Sequence, residues 1–328
     1  MLWGSGLLLA VLGATAAALG PVAVPLPQLL NILLHPRGSA APEYLQTIVW
    51  QIRLPRVLLA MEVGAALSLA GVTYQGLFRN PLADPYVLGV SSGAALGATL
   101  AVVWRHWGGP SGAWVLPALA FAGALFTTAV VYLLGQQGRR LPLTGLLLAG
   151  VAVSAMSSAL VSALLIFAGQ SMQEVVYWMM GSLNGRGWPE VVSILPFLAG
   201  GSAILAVSAR PLDLFLAGEE RAQALGLPVE ATKLLLLTSG ALLAAAAVAT
   251  SGVIGFAGLI IPHAARLLVG PAHRRLLPAA ALLGAAFLLA TDTVARLMVQ
   301  PVELPIGVIT AVCGSPFFLW LLRRQAAR

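Results

Sequence analysis

Long apolar stretches alternate with short polar ones along almost the whole chain, and they are apolar all round rather than striped like the helices of a soluble bundle. The run over residues 2–19 carries no charge and approaches bilayer-spanning length. It reads as a retained first helix. A cleaved secretory signal is the alternative, but no Lys or Arg precedes the run and it is long for a signal core. Pro21, Pro25 and Pro27 then stop helix propagation, and residues 29–52 read as an extramembrane loop with a short amphipathic piece. Further spans are predicted over 57–77, 85–103, 113–134, 143–168, 191–209, 234–250, 276–290 and 305–322. The apolar run 256–268 is too short to cross alone: at about 1.5 Å per residue it covers about 20 Å, against a hydrocarbon core of about 30 Å. It must share its depth with the irregular, Gly-rich SGVIG before it, buried among other helices.

The interruptions carry as much information as the spans. In RNPLADPYVLGVSSGAALG (79–97), Pro81 and Pro85 each remove a backbone donor and push the preceding residue toward extended geometry, which predicts a rigid hinge between two helices. Gly89, Gly93 and Gly97 recur on roughly one helix face, the small-residue spacing that lets membrane helices approach closely, and Ser154, Ser158 and Ser162 are a second such line. Residues 170–189 are polar and Gly-rich, with VVYWMM (175–180) amphipathic enough for a short helix at the membrane surface. PLDLFLAGEERAQALGLPVEAT (211–232) is the longest charged interruption and reads as two short helices outside the bilayer, broken at Gly226 and Pro228.

Composition agrees with this pattern. The 328 residues are 59% hydrophobic and only 9% charged, with a mean hydropathy of +0.93, far from the roughly one-quarter charged residues of soluble domains. The fold class is therefore all-α, a polytopic membrane protein of about ten transmembrane helices in a single domain over 1–328. A net charge of +7 would suggest nucleic acid on a soluble protein, but here the cations lie between apolar runs, so their partners are lipid headgroups and proteins. With the amino terminus inside, the inner segments hold Arg79, Arg139, Arg140, Arg210, Arg221, Lys233, Arg266, Arg274, Arg275, Arg323, Arg324 and Arg328, and the outer ones Arg37, Arg53, Arg56, Arg105, Arg186 and Arg296. That split of the 18 cations obeys the positive-inside tendency, which predicts cytoplasmic termini. Cys313 is the one cysteine, so no disulfide or cysteine metal site is expected. His35, His106, His263 and His273 form no HExxH motif, and no GxxxxGK[ST] is present. No catalytic residue, metal or cofactor is predicted, and any ATP chemistry belongs to another subunit.

The hinge at 79–97, LPR (54–56), GVIGFAGLIIPHAARLLVG (252–270) and ELPIGVITAVCGSPFFLWLL (303–322) together resemble the iron-siderophore, haem and vitamin B12 permease family of ABC importers, over about 53–322. YWMMG (177–181) resembles the B12 member. The resemblance implies a type II importer fold, a second permease copy, two ATP-binding cassette ATPase subunits, a periplasmic or lipid-anchored substrate-binding protein, and a place in the inner membrane. Within 212–230, it implies that Gly218, Glu219, Glu220, Ala222, Leu225 and Gly226 couple to the ATPase; a solvated loop is the plainer reading. Arg53, Arg56 and Arg296 match docking points for acidic residues of the binding protein. Snorkelling to headgroups is the alternative, with a local pair to Asp292 for Arg296. Asn80 with Leu82, and Leu143 with Thr144, match a cytoplasmic gate, although the family's B12 member has two small hydroxyl residues where this chain has Leu143 and Thr144; helix capping by Asn80 and Thr144 is the alternative. Glu62 departs from the apolar residue expected there and reads as a cavity-lining carboxylate or as the partner of an outer arginine. Two rivals are weaker: a secondary transporter wants paired mid-membrane acids, and an intramembrane enzyme wants a cluster of His, Ser and acid.

Overall fold

The helix α4 (Leu54–Leu77) is the axis of the molecule, in a computed structural model that describes residues 2–20, 22–35, 41–138, 140–299 and 301–326. Its apolar, small-residue sequence VLLAMEVGAALSLAGV buries nearly all of its circumference, as expected of a helix apolar on every side. Around it stand α9 (Trp188–Val207), α12 (Val229–Ser251), α13 (Ala257–Val269) and α14 (His273–Leu297). Two glycines set the spacing. A Cβ on Gly64 would lie 2.2 Å from the carbonyl oxygen of Gly284 on α14, and one on Gly71 would lie 1.8 Å from that of Gly258 on α13. Backbones this close exclude any side chain at those positions. On the α12 side, the Tyr74 ring packs on Gly240 and its hydroxyl donates to the Leu237 carbonyl at 3.0 Å.

A second layer is formed by α5 (Val90–His106), α6 (Val115–Gly135) and α7 (Leu143–Phe167). The expected glycine line is real along α5, where Gly93 and Gly97 abut the Gly123 and Leu119 carbonyls of α6. Gly89 instead turns the chain into α5, with φ +82°. Of the serine line on α7, Ser154 packs, accepting from the Ser92 hydroxyl of α5 at 3.2 Å, and the other two do not. The buried stripe of α7 is Leu146, Gly150, Val153, Ser157 and Val161, while Ser158 and Ser162 are exposed. The first helix, α1 (Leu2–Ala18), lies on α14, and α15 (Ile306–Ala326) closes the chain beside α13 and α14. Among the described residues, six helices are long and apolar enough to cross a membrane, the first counted from Glu43 to Leu77. Shorter apolar helices lie within α1, α13 and α15, and with α5 the total is in keeping with the expected count of about ten.

Several boundaries move for identifiable reasons. The loop expected over 29–52 contains α2 (Leu26–Leu34), α3 (Glu43–Thr47) and a π-helical turn, Ile48–Arg53, that runs unbroken into α4. Pro55 brings no donor and crowds the preceding turn, which opens so that Leu54 N–H reaches the Val49 carbonyl. The helix expected from Pro85 starts only at Val90, because Asp84 closes a turn by accepting from Tyr86 N–H at 2.8 Å. The surface helix is α8 (Met172–Met179). The charged interruption does form two short helices, α10 (Ala209–Leu216) and α11 (Glu219–Ala224), but the break between them is Gly218, and Gly226 and Pro228 separate α11 from α12. Arg37, Arg139 and Arg328 of the charge count lie outside the described residues.

The short α13 has the expected irregular approach, and its backbone groups are met from inside the protein. Ser182 N–H donates to the Ser251 carbonyl at 2.8 Å and the Tyr86 hydroxyl donates to the Ile254 carbonyl at 2.9 Å. Phe256 enters α13 at φ +66°, held there with its ring against Gly314 of α15. Substituting Gly71 by Val is expected to lower stability by about 1–3 kcal/mol through overpacking. Gly200→Ala, where nothing stands within 4 Å of the added carbon, leaves the thermal unfolding midpoint in detergent unchanged; equal midpoints for both variants would contradict the packing described.

Candidate functional site

The charged helices α10 and α11 sit at one end of the bundle, against the last turn of α4 and the first turns of α12 and α14. Leu212 and Phe215 turn inward from α10, and the Asp213 carboxylate accepts from the His273 backbone N–H at 3.0 Å and lies 2.6 Å from His273 Nδ1. On α11, Ala222 is fully buried and Glu219 reaches inward to Lys233 Nζ at 2.5 Å. The opposite face of the same short helix, with Glu220, and the turn Leu225–Gly226 after it are exposed, Leu225 at 69%. Gly218, at φ +105°, lies beside the Arg79 guanidinium. The six expected coupling residues thus divide into a buried anchor and an outward face.

The four expected gate residues lie on two segments, the hinge after α4 and the start of α7. Asn80 Oδ1 accepts from Leu82 N–H at 2.9 Å, so its side chain does shape the local turn. Pro142 stands at the N-cap of α7, and among the described residues no hydrogen bond from the Thr144 hydroxyl caps it. Leu82 and Leu143 are half-buried, and Asn80 and Thr144 are exposed.

At the other end the three expected docking arginines are buried and engaged. Arg56 donates through Nε and Nη2 to Asp292 Oδ1, at 3.0 and 2.8 Å, and through Nη1 to Glu303 at 2.9 Å. Arg296 lies 3.2 Å from the other Asp292 oxygen and donates to the Ala16 carbonyl at 3.1 Å. Arg53 donates to the carbonyls of Ala17 and Ala18, at 2.7 and 2.9 Å, and to that of Val22. All three guanidiniums are thus held by acceptors within the chain. The last carbonyls of α1 and the fully buried Asp292 need donors, and these guanidiniums supply them. Arg296 follows its local alternative, the pair with Asp292.

Glu62 lies on the half-exposed stripe of α4 formed by Leu58, Met61, Glu62 and Ala65, with Oε2 buried and no partner among the described residues. It does not pair with an outer arginine. Two of the cavities between the helices carry polar linings that bear on the site. One of 520 Å³, at the arginine end, is lined by Glu174, Tyr177, Asn184, Arg186 and Glu303, and at its edge Glu174 pairs with Arg105. One of 320 Å³ is lined by Ser91, Ser92, Ser158, Ser162 and Val253, which gives the exposed serines of α7 their place. Sequence reasoning passed over Asp213, Lys233, Asp292 as a centre, and Glu303. A signal existed for Lys233, the only lysine in the chain, with Glu230 one turn before it in an otherwise apolar run.

Among the described residues, α4 with nine further apolar helices, one of them short and held between irregular segments, and a charged helix pair projecting from one end define a multi-pass membrane permease. The profile of the FecCD transport family matches residues 8–324. The chain is 47% identical to the cobalamin import system permease protein BtuC of Halobacterium salinarum, covering 93% of this chain and 81% of that one. It is 43% identical to the hemin transport system permease protein HmuU of Yersinia pestis, covering 84% of each. A solved ABC transporter assigned to the metal-chelate type, in an inward-facing conformation, superposes with a TM-score of 0.86 at 35% identity over 98% of both chains. The PsaBC complex of Streptococcus pneumoniae, at 16% identity and a TM-score of 0.58 over 90% of this chain and 94% of that one, shares the fold. This chain belongs to the FecCD transport family, a family of ABC transporter permeases.

Asp292→Asn is expected to destabilise the purified protein by about 3 kcal/mol, since it leaves Arg296 buried beside a neutral amide. Glu62→Gln, which breaks no ion pair, costs little. Chemical denaturation in detergent reads both, and an Asp292→Asn midpoint equal to wild type would contradict the cluster's structural role.

Proposed function

We propose that this chain is the membrane-spanning subunit of a binding-protein-dependent ABC importer that carries a metal chelate, a corrinoid such as vitamin B12 or an iron chelate such as haem, into a bacterial or archaeal cell. The observation that carries the reading is the 47% identity to a cobalamin permease across nearly the whole chain. The hemin permease, at 43%, keeps haem in the same class. Two copies form the path between them. The uncovered sides of α7 and α15, with Leu148, Val151, Val312 and Leu319 exposed, support an assembly through those edges.

In this reading the termini and the α10–α11 end face the cytoplasm, in keeping with the charge split, and two ATPase subunits grip the outward face of α11. Asn80, Leu82, Leu143 and Thr144 ring the cytoplasmic mouth as a gate. The binding protein docks at the opposite end. Arg56 meets that surface through Glu303, which lines the 520 Å³ cavity, so Arg53, Arg56 and Arg296 shape the docking rim from within. ATP-driven alternating access needs only rigid-body movement of the helices and no covalent step. An ion-driven transporter would need carboxylates free to load, whereas Asp292 is held by two guanidiniums and Glu62 stands alone.

Reconstituted with its cognate ATPase and binding protein, the permease is expected to accumulate cyanocobalamin or hemin in a vanadate-sensitive way. Accumulation by the permease alone in liposomes would overturn the reading. Pairing Glu220→Arg with Leu225→Asp is expected to reduce ATPase co-purification about tenfold, ~1.4 kcal/mol, with membrane insertion intact; undiminished co-purification would remove α11 as the contact.

A further inference from the structure

Three segments distant in the chain meet at one buried ammonium. Lys233, in the first turns of α12, is 2% exposed, and its Nζ faces three acceptors: Glu219 of α11 at 2.5 Å, the Leu141 carbonyl at 3.1 Å, and Glu230 at 3.3 Å. An ammonium has three protons, so its donors are fully used. The second oxygen of Glu230 accepts from Leu141 N–H at 2.8 Å. Both backbone groups of Leu141 are thus held by α12 side chains. Leu141 in turn is rigidly placed between the tight turn in which Gln137 and Arg140 exchange backbone hydrogen bonds and Pro142, the N-cap of α7. The next two residues are Leu143 and Thr144.

The geometry points to Lys233 as the pin that transmits movement of α11 to the start of α7, a positioning residue whose inference rests on the importer reading above. Three observations favour this over a merely stabilising ion pair. Glu219 is one residue from the exposed Glu220, so displacement of the outward face of α11 moves the carboxylate directly. The shortest contact of the ammonium runs to α11 rather than to its own α12 neighbour. The Leu141 carbonyl, held by the same ammonium, lies at the other end of the connection, next to the gate residues.

The test uses the permease assembled with its ATPase and binding protein, in a Cys313→Ser background carrying Thr144→Cys. With Lys233 present, the rate at which maleimide modifies Cys at position 144 is expected to change on addition of Mg-ATP. In Lys233→Met the ATPase is expected to co-purify as before, because Glu219 and Glu230 are both partly exposed and can turn to water. The ATP-dependent change in labelling is lost, and chelate accumulated per ATP hydrolysed falls about tenfold. Lys233→Arg restores both. Glu219→Gln, which removes one leg only, gives a smaller loss of the same kind. If labelling in Lys233→Met still responds to ATP, or if accumulation and hydrolysis fall in proportion along with the thermal midpoint, the pin is refuted and Lys233 is structural. If the parent complex shows neither an ATP response nor chelate accumulation, the importer reading itself has failed and the pin falls with it.

Discussion

Inside a hydrocarbon layer every backbone N–H and carbonyl must find its partner within the protein, and the places where helices stop are where this fold is decided. The chain interrupts its helices with irregular backbone before α5 and again before α13. It resolves both by setting the two irregular segments on each other, with the Tyr86 hydroxyl on the Ile254 carbonyl and Pro85 against Gly258. The 251–256 segment also leans on the turn after α8, through Ser182 N–H on the Ser251 carbonyl, and that turn is held in its own right by the first residues of α15. The short helix α13 is possible only because its neighbours complete it.

The spans were legible because a run of apolar residues of bilayer length has few other uses. The shortness of α13, the hinge at Pro81 and Pro85, and the close approach along Gly93 and Gly97 were legible for related reasons: each depends on chemistry local in sequence. Errors arose where a local signal was outweighed by a distant one. Gly226 looked like the break between the charged helices, but Gly218, beside Arg79, is the residue that turns there. Ser154, Ser158 and Ser162 have packing spacing, yet only Ser154 of the three packs, and the neighbouring stripe of α7 is the buried one.

The arginines show the limit most clearly. Position and charge placed Arg53, Arg56 and Arg296 together at one end, and the structure does bring them together. Whether a guanidinium faces outward or inward depends on acceptors that sequence spacing does not reveal, such as Asp292, which lies 236 residues from Arg56. The two ends therefore differ in kind. The arginine cluster is nearly closed upon itself, whereas α11 keeps one charged face inward and presents the other to solvent.

The latch on α1 carries a consequence for how the chain is made. The carbonyls that end the first helix find one set of donors in Arg53, only 36 residues from Ala17, and another in Arg296, 280 residues from Ala16. During vectorial synthesis Arg53 can close over the nascent helix soon after it inserts. The second donor arrives only once α14 has emerged, so α1 is completed by a helix made much later, and a chain truncated before α14 leaves the end of α1 short of a donor.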